Sequence, residues 1–273
     1  PEKNNNISIK YKVADKAIYD NLKEKCMDGL NVYCGTFLDG SDLDWSKRGP
    51  PQVGNLAKRG KEVFGHLEQA RRLSAHVVLL PELTLPPVLR QEVACWLADH
   101  ENPFCLVVPG SFHQMDKISQ KWPVNRALLL DGKGRKIFSH DKIVPFGRGD
   151  ENELIHVGNS LTLWDSPLGV MMLAICKDFL DDDDYLRLPW QSLAPDWMWV
   201  PSMSESTSAH ERQMGKMVRC CETRTAIANQ LKLGIQDYEF PEETFLFSSE
   251  LTREFGKDYQ MVRMAIPKEW QKK

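Results

Sequence analysis

The sequence contains no long apolar run. Across its 273 residues the most apolar stretches, such as Val170–Ile175, are short, whereas a helix that crosses a bilayer needs about 20 apolar residues. The chain also lacks the basic and apolar segments of a secretory signal, because residues 4–6 are three asparagines. We therefore expect a cytoplasmic protein without a membrane partner.

The sequence has no excess of positive charge either. Its 35 Lys and Arg residues and 38 Asp and Glu residues give a formal net charge of −3, and the isoelectric point is about 6.2. This balance does not indicate a broad basic surface, so nucleic acid is not predicted as a partner. Apolar residues make up 42% and charged residues 27%, which is typical of a globular protein rather than of a disordered chain.

The seven cysteines are odd in number and show no C-x₂-C spacing. This pattern indicates free thiols in a reducing compartment and does not indicate a metal site. The thiol chemistry inferred below requires neither a metal nor an organic cofactor. The acidic run Asp181–Asp184 has two interpretations. Carboxylate oxygens suit a divalent cation, but a solvated helix N-terminus, where acids are stabilised, is the favoured one.

No internal repeat, low-complexity tract or interdomain linker divides the chain. We expect residues 1–28 to be a polar lead-in, or a linker from a longer chain, with a helix at Ala14–Cys26. One domain is expected over residues 29–268, followed by a tail at 269–273. Because the chain begins at Pro1 without an initiator Met, we expect a fragment of a larger multidomain protein, with another domain before Pro1.

Predicted strands and helices alternate along this domain. Apolar residues at helical spacing predict a helix over 54–74, and short apolar runs predict buried strands at His76–Leu80 and Phe104–Pro109. Pairs of apolar runs around Gly-containing turns predict hairpins at 125–139 and 161–175. This order indicates an α/β fold with two mixed sheets, or one, covered by helices. The other predicted elements are a strand at Leu30–Phe37, helices at 86–100, 184–193 and 208–229, a strand at Trp197–Val200, and strand-like runs at Leu231–Ile235, Thr244–Phe247 and Gln260–Ile266.

Three reactive side chains follow directly after predicted strands. Glu82 comes just after the strand that ends at Leu80, Lys142 comes just after the first hairpin, and Cys176 ends the most apolar strand of the chain. In open α/β sheets, ligands bind beyond the carboxyl ends of the strands. We therefore expect the carboxylate, the ammonium and the thiol to form one nucleophilic site.

Each of these groups has a role in covalent catalysis by a thiol. A free thiol is mostly protonated at neutral pH, since its ordinary pKa is about 8.5, but an ammonium favours the thiolate and a carboxylate can accept the proton. Attack on a carbonyl or nitrile carbon builds negative charge, for which Lys142 and the backbone N–H of Lys177 are suitable donors. Water then attacks the thioester, with Glu82 as the general base.

The segments PEL at 81–83, HDKIVPFG at 140–147 and ICKD at 175–178 occur in this order. Together they resemble the nitrilase, or carbon–nitrogen hydrolase, superfamily. The resemblance covers roughly residues 29–235 and implies an αββα sandwich with a catalytic triad of Glu82, Lys142 and Cys176. It also implies a small amide or nitrile substrate, with an amidase reaction favoured, and a homo-oligomer formed through the helix faces.

Many members of that superfamily have a second catalytic glutamate shortly after the lysine. The resemblance to the amidase branch implies that this carboxylate is Asp150 or Glu151, with Glu153 also near, and Glu151 is preferred. His140 either orients the site or is a surface histidine.

Each residue of the triad also has a purely structural interpretation. Taken alone, Cys176 would be a buried thiol, Glu82 an acid at a helix N-terminus and Lys142 a solvated charge. A rival functional hypothesis is a nitrilase-like accessory or oligomerisation domain with little or no hydrolase activity. Such domains occur fused to other modules, including reverse transcriptases in bacterial defence proteins. The presence of all three residues in order favours the enzyme.

Overall fold

The computed structural model describes residues 7–37, 43–44, 52–116, 121–148, 151–180, 188–204, 208–230, 253–255, 259–264 and 266. Within these ranges the chain forms two large β-sheets, two short hairpins and five α-helices. The helices are α1 Lys16–Cys26, α2 Leu56–Arg72, α3 Pro87–Asp99, α4 Trp190–Leu193 and α5 Ser208–Cys221. The strands are β1 Ser8–Val13, β2 Leu30–Gly35, β3 Leu43–Asp44, β4 Gln52–Val53, β5 Val77–Leu79, β6 Leu106–Val108, β7 Ser111–Gln114, β8 Val124–Asp131, β9 Lys136–Asp141, β10 Gly147–Arg148, β11 Glu151–Asn152, β12 Ser160–Ser166, β13 Gly169–Leu173, β14 Trp197–Ser202, β15 Arg224–Asn229, β16 Arg253–Phe255 and β17 Tyr259–Met264.

Both large sheets are mixed, as the alternation of strands, helices and hairpins predicts. The first has the order β1-β12-β13-β14-β15, in which only the β12–β13 hairpin is antiparallel. The second has the order β16-β17-β2-β5-β6-β8-β7, and β9 also pairs with β8. Its central strands β2, β5 and β6 are parallel. The prediction of two mixed sheets covered by helices is confirmed.

Two apolar clusters hold these layers together. The larger one includes side chains from both sheets, and the rings of Phe138 on β9 and Trp164 on β12 lie 6.5 Å apart across the interface. The smaller one packs α2 and α3 against the second sheet through residues such as Val63 and Val93. Because full burial of one large apolar side chain contributes about 1.5–3 kcal/mol, these clusters supply the main stabilisation.

The predicted helix over 208–229 is wrong in its second half. Helix α5 ends at Cys221, the next residue, Glu222, has a left-handed backbone with a φ of 56°, and β15 follows at Arg224–Asn229. This segment pairs in parallel with β14 along its whole length and buries Thr225 and Ile227. Pairing with a fully buried strand therefore overrides the helical spacing of the apolar residues.

The N-terminal segment contains a strand that the sequence analysis does not predict. Strand β1 pairs in parallel with β12, from Ser8 opposite Ser160 to Val13 opposite Asp165, and all six of its side chains are exposed. The predicted helix at Ala14–Cys26 is confirmed as α1, which packs into the larger apolar cluster. Strand β1 therefore extends the first sheet, and α1 contributes side chains to the core.

None of the helices in the described ranges is both long and apolar enough to cross a bilayer. All seven cysteines are free thiols. The strand-like runs Leu231–Ile235 and Thr244–Phe247, the acidic run Asp181–Asp184 and the tail lie outside the described residues.

Candidate active site

The three predicted site residues follow the ends of strands from both sheets. Glu82 follows β5, Lys142 follows β9, and Cys176 follows β13 as the first residue of a 3₁₀ turn at Cys176–Phe179. All three side chains lie inside the sandwich, with exposed fractions of only 4%, 1% and 6%. A charged group can be buried in this way only if it is paired and hydrogen-bonded, so the contacts of Lys142 decide what the site can do.

The ammonium of Lys142 lies between two carboxylates. Its Nζ donates to Oε1 of Glu82 at 2.8 Å and to Oε2 of Glu153 at 2.7 Å. The amide of Asn125 on β8 joins the same carboxylates, since its Nδ2 donates to Oε1 of Glu82 at 2.8 Å and to Oε1 of Glu153 at 2.9 Å. The site is therefore a buried, hydrogen-bonded ionic cluster and not a lysine at the surface.

Further contacts fix Glu153 in this cluster. The Nε2 atom of His113, on β7, lies 2.8 Å from its Oε1 atom, and the backbone N–H of Phe146 donates to its Oε2 atom at 2.9 Å. The N–H of Glu153 in turn donates to the carbonyl of Phe146 at 2.8 Å. These two hydrogen bonds hold Glu153 next to Phe146. Glu153 therefore lies close to the loop that carries Lys142.

The second carboxylate that contacts Lys142, besides Glu82, is therefore Glu153, which was a less favoured candidate than Glu151. Glu151 lies in β11, opposite Arg148 in β10, and its side chain lies outside the described part of the structure, as does Asp150. The physical reason is the β10–β11 hairpin, which places the residue after β11 beside Phe146. Sequence spacing alone does not reveal that reversal of the chain.

The two carboxylates have different proton affinities. Burial raises the pKa of Glu82, although the Lys142 ammonium opposes this, and the nearby charge of Glu153 raises it further. Burial would also raise the pKa of Glu153, but Lys142 and His113 overcome that effect and hold it well below its usual range. Two carboxylates with separated pKa values usually take different roles. Of the two carboxylates, Glu153 is the one held in its ionised form, and Glu82 has the higher affinity for a proton.

Lys142 stays charged in this environment. Burial alone would lower the pKa of its ammonium, but the charges of Glu153 and Glu82 outweigh burial and hold it well above the ordinary value. Cys176 is close enough to act in the same direction. The site thus contains a permanent cation whose charge acts on the thiol of Cys176, and such a cation can stabilise negative charge.

Cys176 is held in an unusual backbone conformation. Its φ is 46°, in the left-handed region that residues with a side chain rarely adopt, and its Sγ donates to the carbonyl of Met203 at 3.7 Å. Burial, together with the charge of Glu82, raises the pKa of the thiol to about 12, although Lys142 opposes the shift. The resting group is a thiol that needs a base. Lys177 is the next residue of the same turn.

Asp178 connects the turn of Cys176 to the loop of Lys142. Its Oδ1 accepts the backbone N–H groups of Ile143 at 2.9 Å and Val144 at 2.7 Å, and its Oδ2 lies 2.7 Å from Nε2 of His140. Asp178 and His140 are both buried. His140 is thus part of the support of the site, which agrees with the first of its two interpretations and excludes a surface histidine.

His113, Asn125 and Asp178 are not predicted from the sequence as members of the site. Asp178 is the last residue of the ICKD segment. The sequence therefore indicates its motif, but only the structure shows its contacts. His113 and Asn125 lie opposite each other on β7 and β8, and only this strand pairing reveals that they meet the cluster. The part of the chain that the structure describes contains no group of His, Cys, Asp and Glu side chains that could hold a metal ion.

Comparisons with known proteins give a result at the level of structure. Neither a family model nor a curated protein matches the sequence. The structure is similar to an amidase from Nesterenkonia sp., with a TM-score of 0.58 and 13% identity over 90% of this chain and 94% of the other. It is also similar to Saccharomyces cerevisiae Nit3, a member of branch 10 of the nitrilase superfamily, with a TM-score of 0.60 and 13% identity over 90% and 92%.

A third similar structure is a carbon–nitrogen hydrolase from Helicobacter pylori G27, with a TM-score of 0.60 and 11% identity over 90% of this chain and 91% of the other. All three similarities extend over nearly the whole length of both chains. Similarity at sequence identities of 11–13% shows that the proteins share a fold. The chain has the fold of the nitrilase superfamily, the carbon–nitrogen hydrolases.

Proposed function

We propose that this protein is a cysteine-dependent hydrolase of non-peptide C–N bonds, of the amidase type, with Cys176 as the nucleophile. The observation that carries the proposal is the ammonium of Lys142, buried between the carboxylates of Glu82 and Glu153 and interacting electrostatically with the thiol of Cys176. A purely structural thiol needs no such neighbours. A base and a cation beside a thiol are the groups that covalent catalysis requires.

In the first half of the reaction, the carboxylate of Glu82 takes the proton of the Cys176 thiol as sulfur attacks the carbonyl carbon of the amide. The electron pair of the C=O bond moves to oxygen, and the ammonium of Lys142 and the N–H of Lys177 stabilise the resulting oxyanion. When the C=O bond re-forms, the C–N bond breaks. The leaving amine takes the proton from Glu82, and a thioester remains on Cys176.

In the second half, water attacks the thioester while the Glu82 carboxylate takes a proton from it. The tetrahedral intermediate collapses, the C–S bond breaks, and the acid product leaves. Sulfur recovers its proton from Glu82. Glu153 keeps its negative charge throughout and maintains the position and charge of Lys142.

The similar proteins support this chemistry. A variant of the amidase from Nesterenkonia sp. AN1 carries the acetamide moiety of fluoroacetamide covalently on its active-site cysteine. The similar structures described above are those of an amidase, a member of branch 10 of the nitrilase superfamily and a carbon–nitrogen hydrolase. A small amide is therefore the substrate class we favour for this chain, ahead of a nitrile.

Ammonia release from small aliphatic amides such as acetamide and propionamide tests the proposal. We expect the wild-type protein to release ammonia, and Cys176→Ala to lose at least about a thousandfold in rate, because removal of a covalent nucleophile leaves only the binding contributions. Cys220→Ala, which changes an exposed thiol, is the matched control and should keep full activity. Mass spectrometry should place the adduct of fluoroacetamide on Cys176.

Two outcomes would contradict the proposal. One is a folded Cys176→Ala variant that still releases ammonia at the wild-type rate. The other is a wild-type protein that neither cleaves any small amide nor forms the adduct, which would favour the rival hypothesis of an accessory domain.

A further inference from the structure

Ser202, the last residue of β14, lies between the turns that carry Glu82 and Cys176. Its carbonyl oxygen accepts the backbone N–H of Glu82 at 3.3 Å and that of Gln230 at 2.9 Å. The carbonyl of the next residue, Met203, accepts a hydrogen bond from the Cys176 thiol at 3.7 Å, and the Ser202 side chain is one of the groups that lower the pKa of that thiol. Ser202 therefore lies between the proposed base and the proposed nucleophile.

The hydroxyl of Ser202 has a second partner. Its Oγ lies 3.2 Å from Nε2 of His210, near the start of α5. Ser202 and His210 are almost completely enclosed, with exposed fractions of 0% and 1%. A hydroxyl has one hydrogen to donate, so at any moment it can donate to the imidazole or to the sulfur, but not to both.

His210 is suited to accept this hydrogen. Burial lowers the pKa of its imidazole to about 4, although a hydrogen bond with the backbone of Cys176 opposes the shift. The ring is therefore neutral at physiological pH, with one N–H donor and one acceptor nitrogen. If its N–H is donated to the carbonyl of Cys176, then Nε2 is the acceptor that faces Ser202.

The sulfur of Cys176 changes from a hydrogen-bond donor to an acceptor when it loses its proton. As a thiol, Cys176 donates its hydrogen to the carbonyl of Met203. Once Glu82 has taken that proton, the sulfur is an anion and can only accept hydrogen bonds. The charged groups that act on it are Glu82, which disfavours the anion, and Lys142, which favours it, whereas Ser202 is a neutral hydrogen-bonding group that also lowers the pKa of the thiol.

We propose that Ser202 is a positioning residue whose hydroxyl donates to Nε2 of His210 while Cys176 is a thiol and rotates to donate to the sulfur when the thiolate forms. His210 holds the hydroxyl in place between turnovers, next to the position where negative charge develops. This inference rests on the proposed function, because it assumes that Cys176 reacts as a thiolate. It adds two residues to the site that the triad does not include.

The test measures thiolate chemistry directly, without an amide substrate. Iodoacetamide alkylation of Cys176, followed by mass spectrometry from pH 6 to pH 10, reports how readily the sulfur loses its proton. Hydrogen bonds to charged groups contribute more than those between neutral groups, so we expect Ser202→Ala to slow alkylation about tenfold or more at pH 8 and to move its pH profile upward. Ser202→Thr, which keeps the hydroxyl, should restore the rate to within about threefold.

Ser166→Ala is the matched control. The Ser166 hydroxyl is also buried, but it closes the β12–β13 turn by bonding to the carbonyl of Gly169. Its loss should change stability in urea and leave the alkylation profile unchanged. If Cys176 in a folded Ser202→Ala variant is alkylated at the wild-type rate, the positioning role of Ser202 is wrong. This holds even if the wild-type protein releases ammonia and the proposed amidase function is confirmed. If no amide is cleaved but the Ser202 effect is present, only the proposed substrate class fails.

Nitrogen-15 NMR of histidine-labelled protein tests His210 independently. We expect the His210 ring to remain neutral down to about pH 5 and to carry its proton on Nδ1, with Nε2 as the hydrogen-bonded acceptor. His156→Gln, a change at an exposed histidine, helps to assign the signals. A proton on Nε2 would overturn the proposed arrangement, because that nitrogen could not then accept the Ser202 hydrogen.

Discussion

Two buried thiols in this protein have nearly the same proton affinity for different reasons. Burial alone raises the pKa of Cys34, on β2, to about 12. For Cys176 burial is again the largest cause of a pKa of about 12, but Glu82 raises it further while Lys142 and Ser202 lower it. A raised pKa therefore does not distinguish a nucleophile from an inert thiol. What distinguishes them is a neighbour that can take the proton and a cation that stabilises the product.

Alkylation should separate the two thiols most strongly. We expect iodoacetamide to modify Cys176 in the native protein at least about a thousandfold faster than Cys34 at pH 7.5, because only Cys176 has a base and an ammonium beside it. Peptide mass spectrometry over a time course gives both rates. Equal rates would remove the distinction between the two thiols.

Loss of the cation should produce the largest change in stability. Lys142→Met leaves Glu82 and Glu153 buried together without their ammonium, so we expect the free energy of unfolding in urea to fall by about 3–5 kcal/mol at pH 7. The pKa of Glu153 is depressed in the folded protein, so its contribution is present above its unfolded pKa and is lost on acidification. The difference between wild type and variant should therefore shrink toward low pH.

Lys133→Met is the control for that measurement. Lys133 is exposed in the β8–β9 turn, and its replacement should change the unfolding free energy by no more than about 0.5 kcal/mol. A Lys142→Met variant as stable as this control would show that the cluster contributes little to stability.

Removal of the base should change the pH dependence of the Cys176 reaction. The pKa of Glu82 is raised, so in the wild type alkylation should accelerate as Glu82 ionises and then become less dependent on pH. In Glu82→Gln we expect a rate about a hundredfold lower at pH 7.5, rising about tenfold per pH unit, because only solvent hydroxide can then take the proton. Parallel profiles for the two proteins would exclude Glu82 as the base.

The smallest effect is expected for the inert thiol. Cys34→Ala removes one buried sulfur and should lower the free energy of unfolding by about 1–2 kcal/mol, with no effect on the alkylation of Cys176 or on ammonia release. A large loss of activity in this folded variant would mean that the two thiols are coupled, contrary to the comparison above.

Elements with strong periodicity could be predicted from the sequence. The helix over 54–74 and the two hairpins occur as α2, β8–β9 and β12–β13, because their apolar spacing and turn residues agree with their final environment. The strand β15 could not be recognised, because its partner β14 decides its conformation. Strand β1 has the alternation of a strand, with Ile9, Tyr11 and Val13 between polar residues, but it buries none of these side chains at the edge of the sheet, so a prediction based on burial does not identify it.

For the site, local sequence patterns are enough to indicate which chemistry is available and approximately where it lies. Glu82, Lys142 and Cys176 each follow a strand that apolar residues mark locally, so their position at strand ends is a short-range property of the chain. The remaining features of the site depend on the folded chain. Lys142 contacts Glu153, and Asn125, His113, Asp178 and Ser202 complete the surroundings, because hydrogen bonds between distant segments form only once strand pairing has fixed the distances between them.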